Sequence, residues 1–371
     1  MSLHAGSIDL HQYIDNLRML SFPIGIYRPP SEGGRASLLL RTTENCPWNK
    51  CTFCAMYKEQ PFICRSVEAI KADIDAVAAI RDEIIAVSWK LGFAGEITRQ
   101  VGEAIIRADY CHNLNHSFYI VFHWLWSGGK TAFLQDADSL IMRSSDMETV
   151  LSYLLTRLPS LSRVTTYARS KTLVKKRLEE LHRIQKAGLN RLHIGLETGD
   201  DELLAIVQKG VTSAEQIDGG QKAMAAGFQV SEYWMPDLGG RERWLQHSTN
   251  TARVLSAINP HYIRSRPLVP KIGTPIFEDY KAGRLILSSP HERLNELECM
   301  VEKLDVTSRV CFDHARNSWV DGRGEVLFRH DYEGYKFPTE KPLLLDRIRE
   351  GINVAESRHV HVRELIRMES L

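Results

Sequence analysis

Nowhere in the 371 residues does an apolar run approach the ~20 positions that cross a bilayer, so no membrane-spanning helix is expected. The opening segment, MSLHAGSIDLHQYIDNL, carries charge throughout and lacks the apolar centre of a signal peptide, which points to the cytoplasm. Charge of one sign is missing too: 47 Lys+Arg stand against 46 Asp+Glu, a net +1. That balance argues against nucleic acid or a membrane surface as the partner. Repeats beyond a βα alternation and low-complexity tracts are absent, which excludes solenoids and disordered linkers. Cysteine is sparse, seven in all, too few for a disulfide scaffold and odd in number.

What is present, 43% hydrophobic and 25% charged residues, is the composition of a globular protein. The length suits two or three ordinary domains or one α/β barrel with insertions. Short β-branched or leucine-rich runs predict strands at Ser37–Arg41, Thr131–Leu134, Arg163–Ala168, Arg191–Leu196, Gln229–Met235 and Tyr262–Leu268. Amphipathic patterns between them predict helices at Ser66–Val87, Asp146–Leu158, Thr172–Ala187, Thr212–Ala226 and Glu242–Ile258, with Gly188 and Gly227 as C-caps.

Six strands alternating with helices argue for parallel βαβ units, and the fold class expected is α/β, a partial (β/α)6 TIM-like barrel. Residues 1–36 read as an N-terminal extension and 37–288 as the barrel. A helical insertion interrupts it at about 89–129, rich in aromatics (Tyr119, Phe122, Trp124, Trp126). After Ser288 the alternation stops, and 289–371 reads as a C-terminal extension of helices and a Gly-rich turn region covering the substrate.

Three cysteines cluster at the end of the first strand: Cys46, Cys51 and Cys54, spaced C-x4-C-x2-C. In a reducing compartment such a cluster binds metal rather than forming disulfides. Four thiolates would close an iron–sulfur cubane, whereas three leave one iron open to a substrate. The alternatives are a zinc knuckle, for which no second CxxC is present, or a fully ligated, non-enzymatic cluster with Cys64 as fourth ligand. Cys111, Cys299 and Cys311 are scattered, and His112, the nearest histidine, lies far downstream.

The triad, with Phe53 in Cys51-Thr52-Phe53-Cys54 directly after a first barrel strand, resembles the radical S-adenosylmethionine (SAM) superfamily. The family spaces its cysteines C-x3-C-x2-C, one residue shorter than here. Further stretches are similar to the branch holding oxygen-independent coproporphyrinogen oxidases and Elongator-type enzymes: Phe133–Asp138, Ile194–Asp200, Gly239–Glu242 and Gly273–Pro275. The resemblance implies a [4Fe–4S] cluster on Cys46, Cys51 and Cys54, with SAM as second cofactor. It implies reductive cleavage of SAM to a 5′-deoxyadenosyl radical that abstracts hydrogen from a small molecule under anaerobic conditions. It also implies an electron donor such as flavodoxin or ferredoxin. An RNA-modifying member of the superfamily is the alternative, and no RNA-binding appendage is visible.

The motifs fall at strand C-termini, where α/β barrels collect their chemistry. On the resemblance, Phe53, Asp136 or Asp138, Arg169, Glu197, Arg241 and Val269 bind SAM. For Asp138 a helix N-cap is the competing role. Alternation places Glu197 at the polar end of its strand, where a buried carboxylate needs a ligand or a cation. Tyr167, Glu232, Trp234, Arg264 and Arg266 are the substrate candidates. The arginines suit an anionic substrate unless they pair with Glu232 or Glu197. Tyr233 and His314 are the catalytic candidates; Asp313-His314 or His330-Asp331 would serve as a proton-transfer pair.

Overall fold

The computed structural model describes residues 9–32, 37–109 and 113–367. Cys111 and His112 lie outside them. The chain divides into two units. The first holds Met1–Glu44, Ile63–Thr166 and Lys186–Leu189, and the second holds Asn45–Phe62, Tyr167–Gln185 and Asn190–Leu371.

In the first unit, β1 (Ser37–Arg41) continues into the short strand β2 (Thr43–Glu44), which pairs antiparallel with β3 (Ile63–Cys64). β1 lies parallel to β4 (Thr131–Gln135), and β4 parallel to Arg163–Thr166, the part of β5 (Arg163–Ala168) that belongs to this unit. Leu38, Leu39 and Leu40 are fully buried, as a strand covered on both faces requires. The helices are α1 (His11–Met19), α2 (Val67–Lys90), α3 (Arg99–Ala108), α4 (His116–Trp126) and α5 (Ser144–Arg157). Ser66 caps α2 by accepting the Ala69 N–H. Helices α3 and α4 fall inside the aromatic stretch; Phe118, Phe122 and Trp124 are buried there, and Gly102 gives Phe122 room to approach.

In the second unit, β6 (Leu189–Glu197), β7 (Gln229–Trp234), β8 (Tyr262–Ser265) and β9 (Arg309–Cys311) form consecutive parallel pairs. β10 (Tyr335–Lys336) closes antiparallel on β9. The helices are α6 (Ser170–Lys175), α7 (Leu178–Lys186), α8 (Asp201–Ile206), α9 (Ser213–Ala225), α10 (Gly240–Ile258), α11 (Pro275–Lys281), α12 (Pro290–Lys303) and α13 (Lys341–Asn353). Leu196, Trp234 and Ile263 of the strands join Leu255, Leu297, Met300 and Ile348 of the helices in one core. No described helix is long and apolar enough to cross a membrane.

The fold is α/β, with helices alternating with parallel strands, as the sequence predicts. Gly188 and Gly227 take φ of +120° and +87°, the left-handed conformation that ends a helix. Three expectations change. The helix expected at Thr172–Ala187 is two, because the chain extends at Lys176. β8 stops at Ser265, ahead of Pro267, which has no N–H for a ladder. The sheet does not end before Ser288, since β9 and β10 extend it with runs of three and two residues, too short to show a period.

Gly199 marks a close approach to α10: a Cβ there would lie 2.4 Å from the backbone oxygen of Asn250. Backbone cannot yield as a side chain does. Gly199→Ala is therefore expected to lower stability by about 1–3 kcal/mol in urea denaturation. A variant as stable as the parent would mean that α10 shifts freely.

Candidate functional site

The segment Asn45–Phe62 carries all three clustered cysteines and belongs to the second unit. It is tied down by later parts of the chain. Thr52 N–H donates to the Val207 carbonyl at 3.0 Å, and Ile276 N–H donates to the Thr52 carbonyl at 3.2 Å. Trp48 Nε1 donates to the Gln208 carbonyl at 2.7 Å. Gly210, at φ +73°, seats the Trp48 ring; a Cβ there would come within 2.3 Å of it. Lys58 Nζ spans the loop, donating to the carbonyls of Asn49 at 2.9 Å and Cys51 at 3.0 Å.

Cys46, Cys51 and Cys54 are free thiols, each partly buried. Burial pushes the thiols of Cys51 and Cys54 up, and the neighbouring cysteines push in the same direction. Lys209 opposes this at Cys51, and Arg266 and Lys209 oppose it at Cys54. The three sulfurs thus feel one another's charge. Among the described residues no three ligating groups converge as they would around one ion. A cluster that takes one thiolate per iron suits this donor set, and the flanking cations favour the thiolate form.

Beside the loop, Lys209 Nζ donates to Glu197 Oε1 at 2.9 Å. Glu197 has φ +65° and sits where the β6–β7 register slips between Gly195 and Glu197. Gly195 makes the space, since a Cβ there would lie 2.3 Å from Glu197 Oε1 and 3.0 Å from Lys209 Nζ. Of the two roles open to Glu197, the structure supplies the cation. Burial lowers the tendency of Lys209 to stay charged, but Glu197 and Cys51 outweigh it and its pKa is raised. Lys209 Nζ also lies 5.8 Å from the centre of the Phe53 ring. Arg169 donates to the Lys209 carbonyl at 3.2 Å and stacks 5.3 Å from the Trp48 ring.

Glu232 is fully buried, and its pKa is raised well above the carboxylate range, by burial first, with Lys209 opposing and Glu197 adding to it. Trp234, two residues on, is fully buried in the core against α10 and α12. Ser231 and Tyr233 occupy the other face of β7. Ser231 Oγ accepts from Arg264 Nε at 3.1 Å, and the His193 ring stands between Tyr167 and Tyr233 at 6.2 and 6.0 Å.

Val269 and Phe53 meet in one apolar cluster with Met235, Leu268 and Ile276. Arg241 is bound to Glu292 at 2.7 Å and is half exposed. Asp136 and Asp138 lie in the first unit; Arg41 Nη2 donates to Asp136 at 2.6 Å. Asp138 precedes a single helical turn at Ser139–Ile141 and makes no side-chain cap to it.

Arg264 and Arg266 face consecutive residues of the segment after β9. Arg264 Nη1 is 2.9 Å from Asp313 Oδ2, and Arg266 Nε is 3.4 Å from His314 Nε2. Cys64 lies exposed on β3, and Cys299 receives the Ser248 hydroxyl at 3.3 Å. Burial pushes the Cys311 thiol up to about 12, leaving it protonated and inert.

Sequence reasoning missed Lys209, Lys271 and Arg316. Lys209 had a signal: it directly precedes Gly210 in a polar turn after the Glu197 strand. Arg316 had none, because it stands in an irregular stretch without periodicity.

The chain was compared with known proteins. The family model described as the radical SAM superfamily matches residues 40–237, more than half of the chain. No curated protein matches. Among solved structures, the archaeal Methanocaldococcus infernus Elp3, lacking N-terminal residues 1–46, is similar at 14% identity and a TM-score of 0.42, covering 59% of this chain and 53% of its own. Methylornithine synthase is similar at 15% identity and a TM-score of 0.43, covering 80% of this chain and 70% of its own. Coproporphyrinogen III oxidase from Escherichia coli is similar at 14% identity and a TM-score of 0.37, covering 47% and 39%. The chain thus spans about half the length of that Elp3.

Proposed function

The chain belongs to the radical SAM superfamily, and from that premise we propose that it is an enzyme abstracting hydrogen from a small, anionic molecule at the strand ends of its second unit. The superfamily's cofactors are a [4Fe–4S] cluster and SAM. When bound, they supply a 5′-deoxyadenosyl radical to the substrate. The chain's own residues supply ligands, charge and shelter from water. Cys46, Cys51 and Cys54 would hold the cluster, Lys209 would favour the thiolate of Cys51, and the apolar face of Phe53 and Val269 would receive the adenine. Arg169 and Glu197 are the polar groups of this unit left for the rest of SAM. Tyr167, His193 and Tyr233 form the aromatic wall toward the substrate.

The observation that carries this reading is three free thiols on one anchored loop, flanked by Lys209 and Arg266. A cytoplasmic setting and a flavodoxin or ferredoxin as electron donor complete the proposal, and the near-neutral charge favours a small substrate over RNA.

Anaerobic reconstitution tests it. The parent is expected to bind about four irons, show a changed EPR signal of the reduced cluster on adding SAM, and form 5′-deoxyadenosine with dithionite. The Cys46→Ala, Cys51→Ala, Cys54→Ala variant should lose all three. A variant that behaves like the parent would sink the reading.

A further inference from the structure

The two arginines at the end of β8 have opposite fates. Arg264 and Asp313 are each 1% exposed at the side chain and stand 2.9 Å apart, so that cation is answered within the protein. Among the described residues no carboxylate pairs with Arg266. What it meets is His314, at 3.4 Å from Nε to Nε2. The other ring nitrogen, Nδ1, receives the backbone N–H of Arg316 at 3.2 Å.

A neutral imidazole has one N–H and one lone pair. Both contacts cannot be hydrogen bonds at once; whichever nitrogen bears the proton, one contact sets donor against donor. The Arg316 N–H is fixed in place. Asn317 N–H donates to the His314 carbonyl at 3.0 Å, and Asn317 Nδ2 ties this turn to the Ser265 carbonyl at 3.0 Å. The lone pair therefore belongs to Nδ1, and Nε2–H faces the Arg266 guanidinium.

Two more cations feel the charge of Arg266. Burial and then Arg266 push Arg316 down to about 9, and Lys271 is lowered by burial, then by Arg316 and Arg266. His314 is held neutral, down to about 2, by burial first and then by Arg266, Arg316 and His330. The donors of Arg266 and His314 that face each other at 3.4 Å are reconciled by an acceptor that bears negative charge and takes a hydrogen bond from each.

We infer that the Arg266 guanidinium and His314 Nε2–H form the site for the oxyanion of the substrate, a carboxylate or phosphate on a small molecule. The guanidinium fork and the imidazole N–H suit two oxygens of one such group. Only the word substrate rests on the radical SAM reading; the anion site stands on its own geometry. It also reassigns His314, which becomes a neutral donor to the bound anion rather than half of a proton-transfer pair with Asp313.

Calorimetric titration of the reconstituted protein with inorganic phosphate and with malonate, at fixed ionic strength and with or without SAM, tests this. Binding of phosphate or malonate is expected, the tighter of the two naming the oxyanion, and SAM should leave it unchanged. Arg266→Met and Arg266→Gln should each weaken it about tenfold or more. The Gln variant keeps a polar end, so the test does not depend on the Met variant folding. No binding of either anion to the parent overturns the inference, as does parental affinity in a folded Arg266 variant. Competition by SAM would give the site to SAM's own carboxylate and overturn it equally. Anion binding without 5′-deoxyadenosine formation would refute the radical SAM reading and leave the anion site intact.

Discussion

Lys209→Met is expected to destabilise the protein by about 3–5 kcal/mol at neutral pH, because it strands a largely buried carboxylate. Glu197 and Lys209 are 11% and 13% exposed at their side chains and 2.9 Å apart, and Glu232, buried beside them, is another carboxyl and offers no countercharge. The pairing makes a second expectation. Lys209→Met combined with Glu197→Gln removes both charges and should recover most of the loss, since a buried pair is less costly to delete than to halve. Urea denaturation of the parent, the single variant and the double variant reads the coupling directly. A double variant no better than Lys209→Met would show that the lysine acts elsewhere. The folded-state pKa of Lys209 is raised, so its contribution is complete at neutral pH and fades only in alkali, as pH rises through that value.

A second large effect concerns acid. Asp237 Oδ1 accepts the Ser288 N–H at 3.0 Å, and the Asp237 N–H donates to Glu296 at 2.7 Å. His247, fully buried, contacts the Thr198 hydroxyl at 2.7 Å and the Met235 carbonyl at 3.0 Å. Burial, opposed by Arg293, pushes Asp237 up from 3.8 to about 6. Burial pushes His247 down from 6.5 to about 4.

The two signs are opposite. A raised carboxyl stabilises fully in acid, and that share is lost as pH rises through about 6. A lowered histidine stabilises fully above 6.5, and that share is lost as pH falls through about 4. Each is worth about 3 kcal/mol, so on acidification they largely cancel. Asp237→Asn removes one arm. Between pH 7 and pH 4 it should lose about 3 kcal/mol more than the parent does. Parallel loss in the two proteins, measured by urea denaturation at intermediate pH values, would refute the opposition of the two groups.

The α/β class, the strand positions and the cysteine loop were legible in sequence because each rests on local pattern. A leucine run such as Leu38-Leu39-Leu40 or three cysteines within nine residues speaks without its neighbours. The strand-end alternation on β7 was equally readable, but its orientation was not. Ser231 and Tyr233 share a face with Arg264, whereas Trp234 enters the core against the helices, and periodicity of two does not say which face is which. Lys209 and Arg316 escaped for another reason. Their roles come from contacts with Glu197 and with Arg266 and His314, and no local spacing encodes them. Arg264 shows the same limit from the other side: its partner Asp313 stands in a stretch read as lying beyond the sheet, which β9 in fact extends.

The anchoring of the cysteine loop sets an order on biosynthesis. Cys46, Cys51 and Cys54 leave the ribosome early, yet the carbonyl of Val207, the seat at Gly210 and the N–H of Ile276 that fix their loop are made much later. Until those residues have emerged and folded, the thiols are three unplaced nucleophiles on a nascent chain. For the cluster proposed on them, the loop takes its shape only once Ile276 has been made, and oxidation of the thiols before that point is the hazard this arrangement leaves open.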